Sequence, residues 1–229
     1  ADAENVINGV TVNVAAGRTL GIVGPPGSGK TTLLNLLTRQ YEYRHGKITI
    51  DGKDIRRIRL ADLHRHVALV PQEPYLFSGT IRENILFGTD ADEARLIDVT
   101  RAAALYDTIS LFARGFDTPV GERGVVLSGG QKQRIVLARA LLREAPILLL
   151  DDPIGQVDSE TAGTIIETIR HRLAEKTVII VSHRIPAVAF ADHIVVLADG
   201  RITESGTHDQ LIAQNGYYAR TEALQRLEE

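Results

Sequence analysis

The sequence predicts an α/β fold: a mostly parallel sheet with flanking helices, an antiparallel β edge and an inserted α-helical subdomain. Three observations predict it. Short apolar runs at Thr19–Val23, Val67–Val70, Ile147–Leu150 and Val178–Val181 read as parallel strands buried on both faces. Helical patterns alternate with them. One long segment, Glu73–Ala145, breaks the alternation and holds helical patches without a clear strand.

Each element follows from its residues. Thr31–Gln40 is rich in Leu and reads as a helix after the first strand. Asp158–Glu175 opens on a capping pair, Asp158-Ser159, and carries Ile165, Ile166, Ile169 and Leu173 as a helical stripe. Asp51-Gly52 and Asp199-Gly200 sit between short β-prone runs and predict hairpins bordering the sheet. Within Glu73–Ala145, Asp92–Ala104 and Gln131–Arg143 read as helices. The expected division is an α/β core over residues 1–72 and 146–229, with a helical subdomain over 73–145. The tail from Asp209 is polar and helix-compatible.

Bulk properties narrow the function. The 229 residues are 44% hydrophobic and 24% charged, a globular balance. A net charge of −3 gives no reason to expect a nucleic-acid partner. The basic cluster Arg56, Arg57, Arg59, His64, Arg65 and His66 is broken up by Asp54 and Asp62 and reads as a solvated face. The absence of Cys excludes disulfides and thiolate metal sites. No apolar run approaches the ~20 residues a membrane helix needs, so any spanning part is expected outside this chain. The start at Ala1-Asp2-Ala3, without Met, leads us to expect a piece or a processed form of a longer protein.

Gly24-Pro25-Pro26-Gly27-Ser28-Gly29-Lys30-Thr31 fits G-x-x-x-x-G-K-[ST]. It follows an apolar strand and opens a helix, the context this loop requires. Glycines let the backbone curl so that amide N–H groups converge on an anion, and the helix start adds the positive end of its dipole. Pro25 and Pro26 lack an N–H, so the cradle runs from Gly27 onward. Lys30 supplies a cation for the β/γ-phosphates, Thr31 a hydroxyl for Mg²⁺, and Thr32 a second hydroxyl within reach of phosphate. Ile147–Leu150 ends in Asp151-Asp152, and a strand ending beside such a loop aims Asp151 at Mg²⁺. Each feature alone has a plainer reading: a turn joining strand to helix, or a strand end with solvated acids.

Leu127-Ser128-Gly129-Gly130-Gln131 stands between these two elements and opens a helix. In that order the chain resembles the ABC ATPase family, whose signature is this L-S-G-G-Q. The resemblance implies roles residue by residue. Ser128, Gly129, Gly130 and Gln131 would contact nucleotide bound by a second domain. Gln72 looks like the Q-loop glutamine that touches Mg²⁺ and couples to the membrane domain. Asp158 looks like the D-loop aspartate, and His183 like the switch histidine near the γ-phosphate. Singly, Gln72 could be a loop amide, Asp158 a helix N-cap and His183 a histidine at a strand end. Thr118–Gly124, Tyr75–Phe87 and Glu204–Leu211 resemble exporter-type members.

The resemblance thus implies a P-loop NTPase that binds ATP and Mg²⁺. It implies a motor domain of an exporter at the cytoplasmic face of a membrane. Its partners would be a transmembrane domain and a second ATPase domain, in a homo- or heterodimer closing head to tail around two ATP. A soluble ABC ATPase of translation or DNA repair is the alternative. Repair members carry a long coiled coil here lacking, and translation members usually carry two cassettes.

Two departures stand out. Asp152 occupies the position where the family has Glu as general base, and it is one methylene shorter. A base must lie within hydrogen-bond reach of its proton, so the chain's own site is expected to hydrolyse slowly, resembling the degenerate half of a heterodimeric exporter. The competing reading is a homodimer in which Asp152 suffices. Pro153-Ile154-Gly155-Gln156 also differs from the common P-T-S-A. Residues 1–5 contain no aromatic side chain to stack on adenine.

Overall fold

Residues 6–121 and 126–228 are described by the structure, a computed structural model. The expectations on residues 1–5 and on the Glu122–Gly124 part of the exporter-like loop lie outside the described residues.

In chain order the elements are β1 (Thr19–Val23), α1 (Lys30–Leu37), β2 (Thr49–Ile50), β3 (Lys53–Asp54), α2 (Leu60–His66) and β4 (Val67–Val70). Next come β5 (Gly79–Thr80), α3 (Ile81–Leu86), α4 (Glu93–Ala102), α5 (Tyr106–Ser110), β6 (Pro119–Val120) and α6 (Gly129–Leu142). The chain ends with β7 (Ile147–Asp151), α7 (Ser159–Glu167), β8 (Thr177–Val181), β9 (His193–Ala198), β10 (Arg201–Gly206), α8 (His208–Ala213) and α9 (Tyr217–Glu228).

The main sheet has six strands in the order β10-β9-β1-β8-β7-β4. All pairings are parallel except β9 with β10. The register sets Ile22 beside Val181 and Val181 beside Asp151. Because β1, β4, β7 and β8 are parallel, all four deliver their C-terminal ends to one edge. There the chain continues as Gly24, Pro71-Gln72, Asp152 and Ser182-His183. This is the edge where open α/β sheets bind ligands.

Alternation along the strands divides the core between the two faces. Leu148, Leu150, Val178 and Ile180 join one buried cluster with Ile81, Ile85, Leu96, Val99 and Ile135 of the helical segment and with Tyr218 of α9. Leu149, Ile179, Val181, Leu20 and Ile22 face the other way, onto Leu34 of α1 and Leu63 of α2.

The structure corrects four expectations. Asp199 and Gly200 have φ of 47° and 70° and turn the β9–β10 hairpin at the sheet edge. Asp51 and Gly52 turn a similar hairpin, but β2 and β3 form a sheet of their own rather than bordering the main one. The segment Glu73–Ala145 holds a strand pair, β5 with β6, of two residues each. The helix read over Asp158–Glu175 is α-helical only through Glu167 and continues as a π-turn over Thr168–Arg172. The first helix stops at Leu37 because the Thr38 hydroxyl takes the Leu34 and Asn35 carbonyls and Arg39 turns left-handed at φ 56°.

Candidate functional site

The loop between β1 and α1 wraps its own lysine. Lys30 Nζ donates to the carbonyls of Gly24 at 2.9 Å and Pro25 at 2.8 Å, and to Ser28 Oγ at 3.3 Å. Helix α1 has no side-chain cap and no acidic residue in its first turn. Among the described residues, the amides of Gly27, Gly29, Lys30, Thr31 and Thr32 find no protein acceptor. Five amides without a protein acceptor, four of them from Gly29–Thr32 at the positive end of a helix, suit an anion with several oxygens. Gly24 is needed for packing, since a Cβ there would run into the Leu197 carbonyl. Val6 and Ile7 lie against Gly29, so an aliphatic segment flanks the loop.

Thr31, Gln72 and Asp151 line one cleft of about 680 Å³. Asp151 is buried at 3% exposure. Burial raises its pKa above the ordinary carboxylate range; the Thr31 hydroxyl and Lys30 pull it back, and Asp152 adds to the rise. Burial likewise lowers the Lys30 ammonium, against the pull of Asp151 and Asp152. One carboxylate, one hydroxyl and one amide oxygen form a donor set suited to Mg²⁺, which takes few protein oxygens and keeps places for water and phosphate. A divalent cation would also offset the desolvated charge on Asp151.

Asp152 turns inward. Its Oδ1 accepts from Ser182 Oγ at 2.8 Å and its Oδ2 lies 3.2 Å from Nδ1 of His183. Its backbone is left-handed, φ 51°, held by its N–H on Val181 O at 2.7 Å and by Gln133 Nε2 donating to its carbonyl at 2.6 Å. The carboxylate fills the space where a Cβ on Gly155 would sit. His183, its side chain more than half exposed, thus follows the end of β8 with a buried carboxylate behind it.

Ser128 and Gln131 close a capping box on α6: Ser128 Oγ accepts from Gln131 N at 3.2 Å, and Gln131 Oε1 accepts from Ser128 N at 2.9 Å. Gly129 and Gly130 lie so close to Gln156 that a Cβ on either would strike it. Asp158 caps α7, accepting from Thr161 N at 2.9 Å and Thr161 Oγ1 at 2.8 Å, and those bonds hold its pKa low. Among the described residues no hydrogen bond or ion pair joins Ser128–Gln131 or Asp158 to residues 24–32. The predicted residues are thus described as two sets without a direct polar contact between them. Gly24, Gly27–Thr32, Gln72, Asp151, Asp152 and His183 gather at one sheet edge, and Ser128–Gln131 with Asp158 form another surface.

Three residues escaped the sequence reading. Gln133 reaches Asp152 from α6, and its Oε1 is buried without a partner. Ser182 fixes Asp152 and also accepts from Arg184 N at 3.0 Å. Its place between β8 and His183 was the available signal. Gln156 covers the signature glycines, and nothing in the sequence signals that contact.

Residues 7–155 match the family described as ABC transporter. The chain is 43% identical over 224 residues to an ATP-dependent lipid A-core flippase of Pseudomonas syringae pv. syringae (strain B728a), covering 97% of this chain and 37% of the flippase. It is also 43% identical over 224 residues to ABC transporter B family member 1 of Arabidopsis thaliana, covering 96% of this chain and 17% of that protein. A solved bacterial Atm1-family ABC exporter with ATP bound superposes with a TM-score of 0.92 at 40% identity, over 96% of this chain and 39% of the exporter. The chain thus spans well under half the length of these relatives. Its fold is the P-loop NTPase fold that the motifs imply, and the match in sequence and structure runs through the site just described. The chain belongs to the ABC transporter family.

Proposed function

We propose that this chain is the ATP-binding and ATP-hydrolysing motor domain of an ABC exporter. The observation that carries the reading is the convergence of Thr31, Gln72 and Asp151 on one cleft beside the free amides of the phosphate loop. Lys30 and the amides of Gly27 and Gly29–Thr32 bind the phosphates. Thr31, Gln72 and Asp151 hold Mg²⁺, which would neutralise phosphate charge when bound. His183 lies near the γ-phosphate, and Asp158 and Ser128–Gln131 serve a nucleotide bound by a second domain.

Head-to-tail pairing around two ATP is supported by the lack, among the described residues, of any hydrogen bond or ion pair between Ser128–Gln131 and the phosphate loop, which leaves the signature open to a nucleotide held by a second domain. A transmembrane partner is supported by an exposed aromatic face. Tyr75 and Phe77 meet edge to face, Phe77 and Phe87 stack at 4.7 Å, and Arg139 lies over both Phe rings. Tyr75 is 68% and Phe87 52% exposed, and they line the cleft that also contains Gln72. Such a patch fits a docking surface. With such a partner the domain would work at the cytoplasmic face of a membrane; no helix among the described residues is long and apolar enough to cross one. The soluble alternative is not favoured, because the named relatives are transporters and a flippase. The division into core and helical subdomain at residues 73 and 145 is part of this proposal.

The chain's own site turns over slowly, because Asp152 is short and both its oxygens are engaged inside the protein. Calorimetry with ATP and Mg²⁺ tests the binding claim. Binding is expected for the unaltered chain and lost in Lys30→Ala; equal affinity in both would refute it.

A further inference from the structure

Helix α9 is tied to the body well before its end. The Glu204 carboxylate accepts from Tyr217 N at 2.5 Å and Tyr218 N at 3.2 Å, which fixes the start of the helix. Tyr218 is fully buried, and its hydroxyl meets His208 Nδ1 at 2.8 Å. Two turns on, a residue returns to the same helix face, and Gln225 therefore points inward as Tyr218 does. Its amide grips the loop after β8 with both ends. Gln225 Nε2 donates to the His183 carbonyl at 2.7 Å, and Gln225 Oε1 accepts from Ile185 N at 2.8 Å.

The loop Ser182–Ile185 is thus held from two sides. On the sheet side, Ser182 Oγ is bonded to Asp152 and Arg184 N. On the helix side the only side chain bonded to the backbone of His183 and Ile185 among the described residues is Gln225. A primary amide suits the task because it offers one acceptor and one donor. A carboxylate would face the His183 carbonyl with a second acceptor, and an alanine would reach neither group.

We propose that Gln225 is a positioning residue for His183, so that α9 sets the placement of the imidazole at the nucleotide site. The inference rests on the reading of His183 as a site residue. Both bonds of the Gln225 amide go to main-chain groups. It acts through the main chain that carries His183, and displacement of α9 would reach the site through this clamp.

The test compares Gln225→Ala, Gln225→Glu, His183→Ala and the double variant in the transporter that carries this chain. Loss of one main-chain hydrogen bond should speed hydrogen exchange at the Ile185 amide roughly tenfold, with the β8 amides unchanged. Loosening the imidazole should lower kcat about tenfold with KM for ATP little altered. Gln225→Glu should fall between Gln225→Ala and the unaltered protein. The double variant should turn over no more slowly than His183→Ala. Unchanged turnover in Gln225→Ala beside a crippled His183→Ala overturns the inference. Multiplying losses in the double variant overturn it too, since they mark an effect on stability alone. Undiminished turnover in His183→Ala removes the reading of His183 itself, and the inference falls with it.

Discussion

Nδ1 of His183 stands 3.2 Å from Oδ2 of Asp152, whose other oxygen is bonded to Ser182. A side chain one methylene longer has no room to keep both bonds, because Asp152 is only 6% exposed. Asp152→Glu is therefore expected to turn its carboxylate toward the cleft. Turnover should rise on the order of tenfold when this site is assembled with an intact signature. Overpacking should cost about 1–3 kcal/mol in thermal unfolding. Unchanged turnover in Asp152→Glu, with binding abolished in Lys30→Ala, would end the slow-site reading.

Gly155 offers a sharper probe of the same pair. Its Cβ position is taken by the Asp152 carboxylate, whereas a Cβ on Gly163 in α7 would meet nothing. Gly155→Ala should destabilise by about 1–3 kcal/mol. Gly163→Ala should stabilise by about 0.5–1 kcal/mol through helix propensity. Denaturant titration of both variants reads the contrast; equal shifts would mean that Asp152 does not occupy the space over Gly155.

Asp151→Asn should separate stability from binding. Burial raises the folded-state pKa of Asp151. A raised carboxylate favours folding below its unfolded pKa, and that contribution is lost as pH rises through the folded value. Neutralising it should raise stability at pH 7 by about 1 kcal/mol, or roughly 2–4 °C in Tm. The gain should vanish below the ordinary aspartate value of 3.8. Mg²⁺-dependent ATP binding should be lost in the same variant. A gain that persists in acid would assign the effect to something other than the charge.

The strands were legible because a parallel strand buried on both faces must be apolar along its length, as Ile147–Leu150 and Val178–Val181 are. The phosphate loop was legible because its residues are contiguous. The β5–β6 pair was not, since Gly79-Thr80 and Pro119-Val120 have no run long enough to show a period. The inward turn of Asp152 depends on Ser182, Gln133 and Gly155, which the chain brings together only after the sheet is assembled. Gln225 lies 42 residues from the His183 carbonyl it binds, and no local pattern marks such a partner.

Arg139 holds the aromatic face together. Its Nε donates to the Asn84 carbonyl at 2.7 Å while its guanidinium lies over Phe87 at 4.9 Å, and burial lowers its pKa. Lys cannot both fork and stack. Arg139→Lys should cost about 1–2 kcal/mol and weaken the stimulation of ATP turnover by transported substrate, with MgATP affinity unchanged. Full stimulation in this variant would remove the aromatic face from the coupling route.

The buried cluster that runs from Ile85 and Val99 through Ile135 to Leu150 and Tyr218 packs apolar side chains of the helices directly on those of the sheet. Exchange of the helical segment between related proteins would therefore graft badly unless the sheet face came with it. A recombinant carrying a foreign α3, α4 and α6 on this sheet inherits mismatched knobs and hollows. Evolution along this chain is then expected to proceed by paired changes across that contact, with helix and strand drifting in step.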